Sequence, residues 1–128
     1  MIYLDTSVAL AHLLAEDRRP ADALWAEPLV ASRLLEYELW VRLNARGLAA
    51  SHGEGARRIV ERVAIVELLP NVLARALEPF PAPVRTLDAL HLASFAFVLA
   101  RDPRLRLASY DDRLVASARA LGYTVAEV

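Results

Sequence analysis

The feature that most constrains this 128-residue chain is a recurring order: a short apolar run, then helix-capping residues, then a helical run. Ile2-Tyr3-Leu4 is an apolar strand, Asp5-Thr6-Ser7 a capping cluster, and Val8 to Glu16 a helical run. Pro20 suits the first turn of a short helix, Ala21 to Ala26. Pro28-Leu29-Val30-Ala31 reads as a buried strand, and Ser32 caps a helix from Arg33 to Arg46 that Gly47 closes. Ser51-His52-Gly53-Glu54-Gly55 reads as a loop before a helix from Ala56 to Arg62, and Ala64 to Leu68 is the third strand. A helix from about Asn71 to Leu77 is stopped by the prolines at 79, 81 and 83. Thr86 caps the most apolar helix, Leu87 to Arg101, and Leu105 to Ser109 is a fourth strand. Asp111 caps a helix to Leu121 with Gly122 as its stop, and Tyr123 to Ala126 is a candidate edge strand. Strands alternating with helices predict an α/β fold, with a mainly parallel sheet of four to five strands wrapped on both faces.

Ligands of such sheets gather at the carboxyl ends of the strands. Asp5 and Asp111 stand just past two such ends. Glu38 lies inside a helix rich in Leu, Tyr and Trp, and Asp88 begins the most apolar helix. Each acid has an ordinary structural reading. Asp5 and Asp111 serve as N-caps, each worth about 1 kcal/mol. Asp88 meets a helix dipole in a first turn, and Glu38 pairs with Arg42 at i, i+4. Together, the four acids can converge on one cleft. Carboxylates held that close repel, and one resists ionising unless a cation sits among them. A hard ion such as Mg²⁺ or Mn²⁺ resolves the conflict through oxygen ligands and retained waters. Acids plus such a metal suit phosphodiester hydrolysis by an activated water, with no protein nucleophile.

Composition removes the competing chemistries. All 15 basic residues are Arg, so a Walker P-loop and Schiff-base catalysis are out. The chain has no Cys, which excludes disulfides, thiol nucleophiles and Cys-bound metals. A haloacid-dehalogenase-type enzyme wants an Asp where Ser7 stands, and a response-regulator receiver wants a Lys. Gly53-Glu54-Gly55 follows no strand, and Arg58 replaces the third Gly of a dinucleotide-binding turn. The net charge of −1 leaves room for a local Arg-lined groove but not for an all-over basic binder. Met1 to Asp5 lacks the basic start of a signal peptide, and Ala89 to Ala100 is too short to span a membrane. A cytoplasmic protein without a membrane segment is expected.

Four segments carry a resemblance. Met1-Ile2-Tyr3-Leu4-Asp5-Thr6-Ser7, Glu36-Tyr37-Glu38-Leu39, Thr86-Leu87-Asp88-Ala89-Leu90-His91-Leu92-Ala93 and Ser109-Tyr110-Asp111-Asp112-Arg113-Leu114 resemble, in order, the motifs of PIN-domain proteins. The likeness is closest to the ribonuclease toxins of bacterial VapBC-type toxin–antitoxin pairs. It implies a three-layer fold, with residues 1–128 forming a single PIN domain. It also implies a Mg²⁺- or Mn²⁺-dependent endoribonuclease whose metal and water are held by Asp5, Glu38, Asp88 and Asp111. Thr6 and Ser109 match positions that help order the site, Ser109 standing where Thr is more usual. A cognate antitoxin that blocks the cleft and a homodimer are implied as well. The rival reading is a degenerate PIN fold that only binds RNA or a protein partner.

Some assignments stay open at this level. Glu36 and Glu38 point about 200° apart on a helix, so only one can face the site. The family habit of an acid directly before Leu favours Glu38, leaving Glu36 to pair with Arg33. Some relatives carry a further acid where Arg113 stands, which argues against a tightly held second metal. His91 shares a helix face with Asp88 and reads either as a core histidine or as a hydrogen-bond partner of a carboxylate. Arg33, Arg42, Arg46, Arg85 and Arg113 lie near the acids in sequence and are candidate phosphate contacts for RNA. The acids' own charge must be neutralised before RNA enters, so metal is expected to bind first. Trp25, Trp40 and Tyr37 suit either core packing or an interface.

Overall fold

The computed structural model describes residues 1–128. Strand β1 (Ile2–Leu4) leads into α1 (Thr6–Leu13), and a short 3₁₀ turn at Asp22–Ala26 precedes β2 (Leu29–Ser32). Helices α2 (Leu34–Ala45) and α3 (Ala49–Arg62) follow, then β3 (Ala64–Val66) and α4 (Pro70–Ala76). The chain closes with α5 (Thr86–Leu99), β4 (Arg106–Ala108) and α6 (Asp112–Ala120). All strand pairs are parallel, in the order β3-β2-β1-β4. Ile2 is level with both Leu29 and Arg106, and Val30 with Ala64.

The period of two along the strands builds three layers. Ile2, Leu4, Leu29 and Ala31 join one buried cluster with Val8, Leu35, Leu39 and Ile59 of α1, α2 and α3. Tyr3, Val30 and Leu107 join the opposite cluster with Leu92 and Phe95 of α5 and Leu114 of α6. Both faces of the short central strands are thereby apolar, as a covered parallel sheet requires. The α/β, mainly parallel expectation is borne out. Four strands are full members. The segment after α6 adds a single bridge, Leu107 to Val125, held by Leu107 N–H on Thr124 O (2.9 Å) and Ala126 N–H on Leu107 O (2.7 Å).

From β1 the chain steps outward through β2 and β3, then returns to place β4 on the other side of β1. The segments leaving β1 and β4 therefore run to opposite faces of the sheet. That leaves a crevice between the two strand ends, the usual ligand position in open parallel sheets.

Residues 51–55 depart from the expected loop, because α3 already begins at Ala49. Glycine costs a helix about 1 kcal/mol relative to alanine, so two glycines read locally as a break. Tertiary contact reverses that preference. A Cβ on Gly53 would stand 2.8 Å from the Trp40 indole, and one on Gly55 would stand 2.7 Å from Leu13 Cδ1. The glycines let α3 pack directly on α2 and α1. Gly53→Ala should therefore lower the melting temperature, because overpacking costs about 1–3 kcal/mol against the smaller helix gain. A melt at or above wild type would show that Trp40 moves aside freely. Smaller shifts occur at the element ends. Helix α1 stops at Leu13, two residues before Ala15 turns to φ 49°. Thr86 is the first residue of α5 rather than a side-chain cap.

Candidate active site

A cleft of about 340 Å³ opens at the crevice between β1 and β4, and Asp5, Glu38, Asp88 and Asp111 all line it. Thr6, Ser7, Arg42, Arg85 and His91 line it too. Each acid arrives on a different element: Asp5 after β1, Glu38 in α2, Asp88 in the first turn of α5, and Asp111 after β4. Asp5 and Asp88 are buried, and Glu38 and Asp111 are half-buried.

Asp5 and Asp111 divide their two oxygens between fold and cleft. Asp5 caps α1, its Oδ2 accepting from Ser7 N–H (3.3 Å), Ser7 Oγ (2.5 Å) and Ser109 Oγ (2.8 Å). Its Oδ1 has no hydrogen bond and lies 4.0 Å from His91 Nε2. Asp111 caps α6, its Oδ1 accepting from the N–H groups of Arg113 (2.9 Å) and Leu114 (3.3 Å). Its Oδ2 meets Arg85 at 3.2 Å. Capping is therefore the means by which both carboxylates are aimed.

Of the two acids in α2, Glu38 lines the cleft and Glu36 pairs with Arg33 at 2.7 Å. Glu38 Oε1 accepts from Thr6 Oγ1 (3.2 Å) and from His91 Nε2 (2.6 Å). A carboxylate can only accept, so Nε2 carries the proton. The Tyr3 hydroxyl meets Nδ1 at 2.9 Å, donating to a neutral ring and accepting from a charged one. His91 is thus both a core histidine and a carboxylate partner. Burial by itself would lower its pKa, but the Glu38 hydrogen bond and the charges of Asp5, Glu38 and Asp88 outweigh burial and raise it. Burial, with Asp5 close by, pushes the Tyr3 phenol up and keeps it protonated.

Ser109 and Ser7 brace the opposite wall. Ser109 Oγ accepts from Asp111 N–H (3.0 Å), and Ser7 Oγ accepts from Tyr110 N–H (2.9 Å), tying the β4 exit to the β1 exit. The sequence marked Ser7 only as a capping residue and Tyr3 only as a strand residue. The signal for Ser7 was its place in the first turn after Asp5. Nothing local marks Tyr3, whose partner lies 88 residues on.

The five arginines separate. Arg42 and Arg85 line the cleft, and Arg113 borders a neighbouring depression together with Arg85 and Asp88. Arg46 is exposed at the end of α2. Arg33 is held by Glu67 and Glu36, which together raise its pKa, and it does not line the cleft. Trp25 packs against His12 with centroids 4.4 Å apart and ring planes tilted by 47°, and Trp40 covers Gly53; both indoles are half-buried. Tyr37 stays exposed beside Val41 on α2.

The groups at the cleft that can ligate a metal are oxygen donors and His91, which suits a hard divalent ion by donor chemistry. No three His, Asp or Glu side chains stand close enough to ligate one ion as arranged here. Arg85 spans Asp88 and Asp111 at 3.2 Å each, and His91 takes Glu38. The Arg85 guanidinium stands where clustered carboxylates need positive charge, and His91 adds a second charge when its ring is protonated. By donor chemistry alone the set fits such an ion.

Fold and cleft together define a parallel three-layer α/β protein whose acids converge where the strand order reverses. The PIN domain model matches residues 2–120, and the chain belongs to the PIN-domain family, in the group named VapC. It is 31% identical over 133 residues to Ribonuclease VapC47 of Mycobacterium tuberculosis, covering 98% of this chain and 96% of that protein. The crystal structure of Mycobacterium tuberculosis VapC20, a sarcin–ricin loop cleaving toxin, superposes with TM-score 0.71 at 22% identity over the full length of both chains. A toxin–antitoxin complex from Klebsiella pneumoniae contains a chain that superposes with TM-score 0.65 at 20% identity, covering 94% of each. No helix is long and apolar enough to cross a membrane.

Proposed function

We propose that this chain is a divalent-metal-dependent endoribonuclease, the toxin of a type II toxin–antitoxin pair. The observation that carries the reading is the meeting of four acids from four elements in one cleft at the sheet's switch point. Asp5, Asp88, Asp111 and Glu38 would hold Mg²⁺, with Mn²⁺ as a substitute. Such an ion, when bound, polarises a phosphate and lowers the pKa of an attacking water. The chain's own groups orient and neutralise. Thr6 and His91 fix the Glu38 carboxylate, while Ser7 and Ser109 fix Asp5. Arg42 and Arg85 at the cleft are placed to take RNA phosphates, which gives salt-sensitive binding without reading the sequence.

The reading takes residues 1–128 as a single PIN domain working in the cytoplasm, as a homodimer, against an antitoxin that covers the cleft. The Klebsiella complex supports an antitoxin partner. Exposed Tyr37 and Val41 on α2, and exposed Leu69, Leu73 and Leu77 on or beside α4, supply apolar surface for such partners.

Metal binding provides the test. A folded-state site gains about 2.7 kcal/mol of stability at a hundredfold excess of ligand over its dissociation constant. Mn²⁺ should therefore raise the melting temperature of the wild type, and Asp88→Asn should abolish the rise. An equal shift in both proteins, or none in either, would favour a non-catalytic PIN fold that binds RNA or a partner.

A further inference from the structure

Arg85 alone among the arginines pairs with two of the cleft acids. It stands directly before α5, and its guanidinium straps Asp88 Oδ2 to Asp111 Oδ2, joining the start of α5 to the cap of α6. Asp88 has no other hydrogen-bond partner, and the second oxygen of Asp111 is committed to capping. Asp88 keeps its Oδ1 free, but the one oxygen of Asp111 outside the cap is the Oδ2 that Arg85 holds, so a metal ion that takes Asp111 by that oxygen meets the guanidinium. The side chain is built to leave: it is 58% exposed, against 10% for Asp88 and 33% for Asp111. Arg85 covers its two acids from the solvent side without packing into the core.

We propose that Arg85 is the counter-ion that the divalent metal displaces, holding Asp88 and Asp111 together in the metal-free protein and weakening metal affinity by competing for their oxygens. The proposal rests on the metal-site reading above. It makes Arg85 a positioning residue that sets how much free metal the enzyme needs. Once displaced, the guanidinium remains tethered at the rim of the cleft, where its charge is available to a phosphate.

The test needs no RNA. Mn²⁺ is titrated into the metal-stripped full chain, and free Mn²⁺ is followed by its electron paramagnetic resonance signal. Wild type, Arg85→Gln, Arg85→Met and Asp88→Asn are compared, with circular dichroism confirming that each is folded. Loss of two partly exposed ion pairs with the competing charge should tighten Mn²⁺ binding about tenfold in both Arg85 variants. Asp88→Asn should bind far more weakly than wild type. Unchanged or weaker binding in both Arg85 variants, with wild type binding normally, would overturn the proposal and leave the metal site standing. No Mn²⁺ bound by folded wild type or by either Arg85 variant would overturn the metal site and the proposal with it.

Discussion

Asp88→Asn should leave a folded protein whose RNA cleavage is at least about a hundredfold slower than that of wild type. The substitution keeps the side chain's size and an oxygen for Arg85, so the start of α5 retains its shape. It removes a negative charge from a side chain only 10% exposed, where no solvent route replaces it. Losing an outer partner of a metal ligand typically costs 10–100-fold, so losing a ligand should cost at least the upper figure. The measurement is the initial cleavage rate at saturating Mn²⁺, beside thermal melts of both proteins in EDTA. Activity within tenfold of wild type would remove Asp88 from the proposed ligand set.

Phe95→Ala should cost about 3–5 kcal/mol of stability, the usual range for emptying a buried phenylalanine site. Phe95 is 1% exposed, and its ring lies 5.7 Å from Tyr3 and 4.7 Å from Tyr123, centroid to centroid. A domain of this kind has about 5–15 kcal/mol in total, so the variant approaches the unfolding threshold. The effect should reach the cleft. Tyr3 holds His91, and His91 holds Glu38, so a Tyr3 ring free to tilt loosens an acid on the other side of the sheet. Urea titration should show a lower midpoint with an unchanged slope, the signature of lost stability alone. A loss below about 1 kcal/mol, the scale of a conservative core swap, would mean that neighbouring side chains collapse into the site.

Particular residues explain how much of this was legible in the sequence. Apolar runs mark the strands at Ile2–Leu4, Leu29–Ser32, Ala64–Val66 and Arg106–Ala108, and capping residues follow all of them but the third, a local signal. The same signal placed Asp5 and Asp111 at strand ends. The strand order is a long-range outcome, and it brings those two ends side by side. The choice between Glu36 and Glu38 is settled by contacts that spacing along α2 does not encode. Arg33 claims Glu36, while Glu38 meets Thr6 and His91, which are 32 and 53 residues away. In sequence His91 fits either a core residue or a carboxylate partner, and burial beneath the acids makes it both. Gly53 and Gly55 hid the first half of α3, because their local preference opposes the packing they permit. The arginines were equivalent in sequence, and only the fold separates Arg42 and Arg85 at the cleft from Arg33 in its ion pairs.

The most direct test of a metal-dependent nuclease is cleavage of bacterial total RNA by the purified, antitoxin-free chain in Mn²⁺ and in EDTA, with fragment ends mapped by sequencing. The account predicts discrete fragments in Mn²⁺ and intact RNA in EDTA, with cleavage restored when metal is returned. Equal cleavage in EDTA by the pure protein, or intact RNA throughout from a folded protein whose melting temperature ignores Mn²⁺, would contradict it.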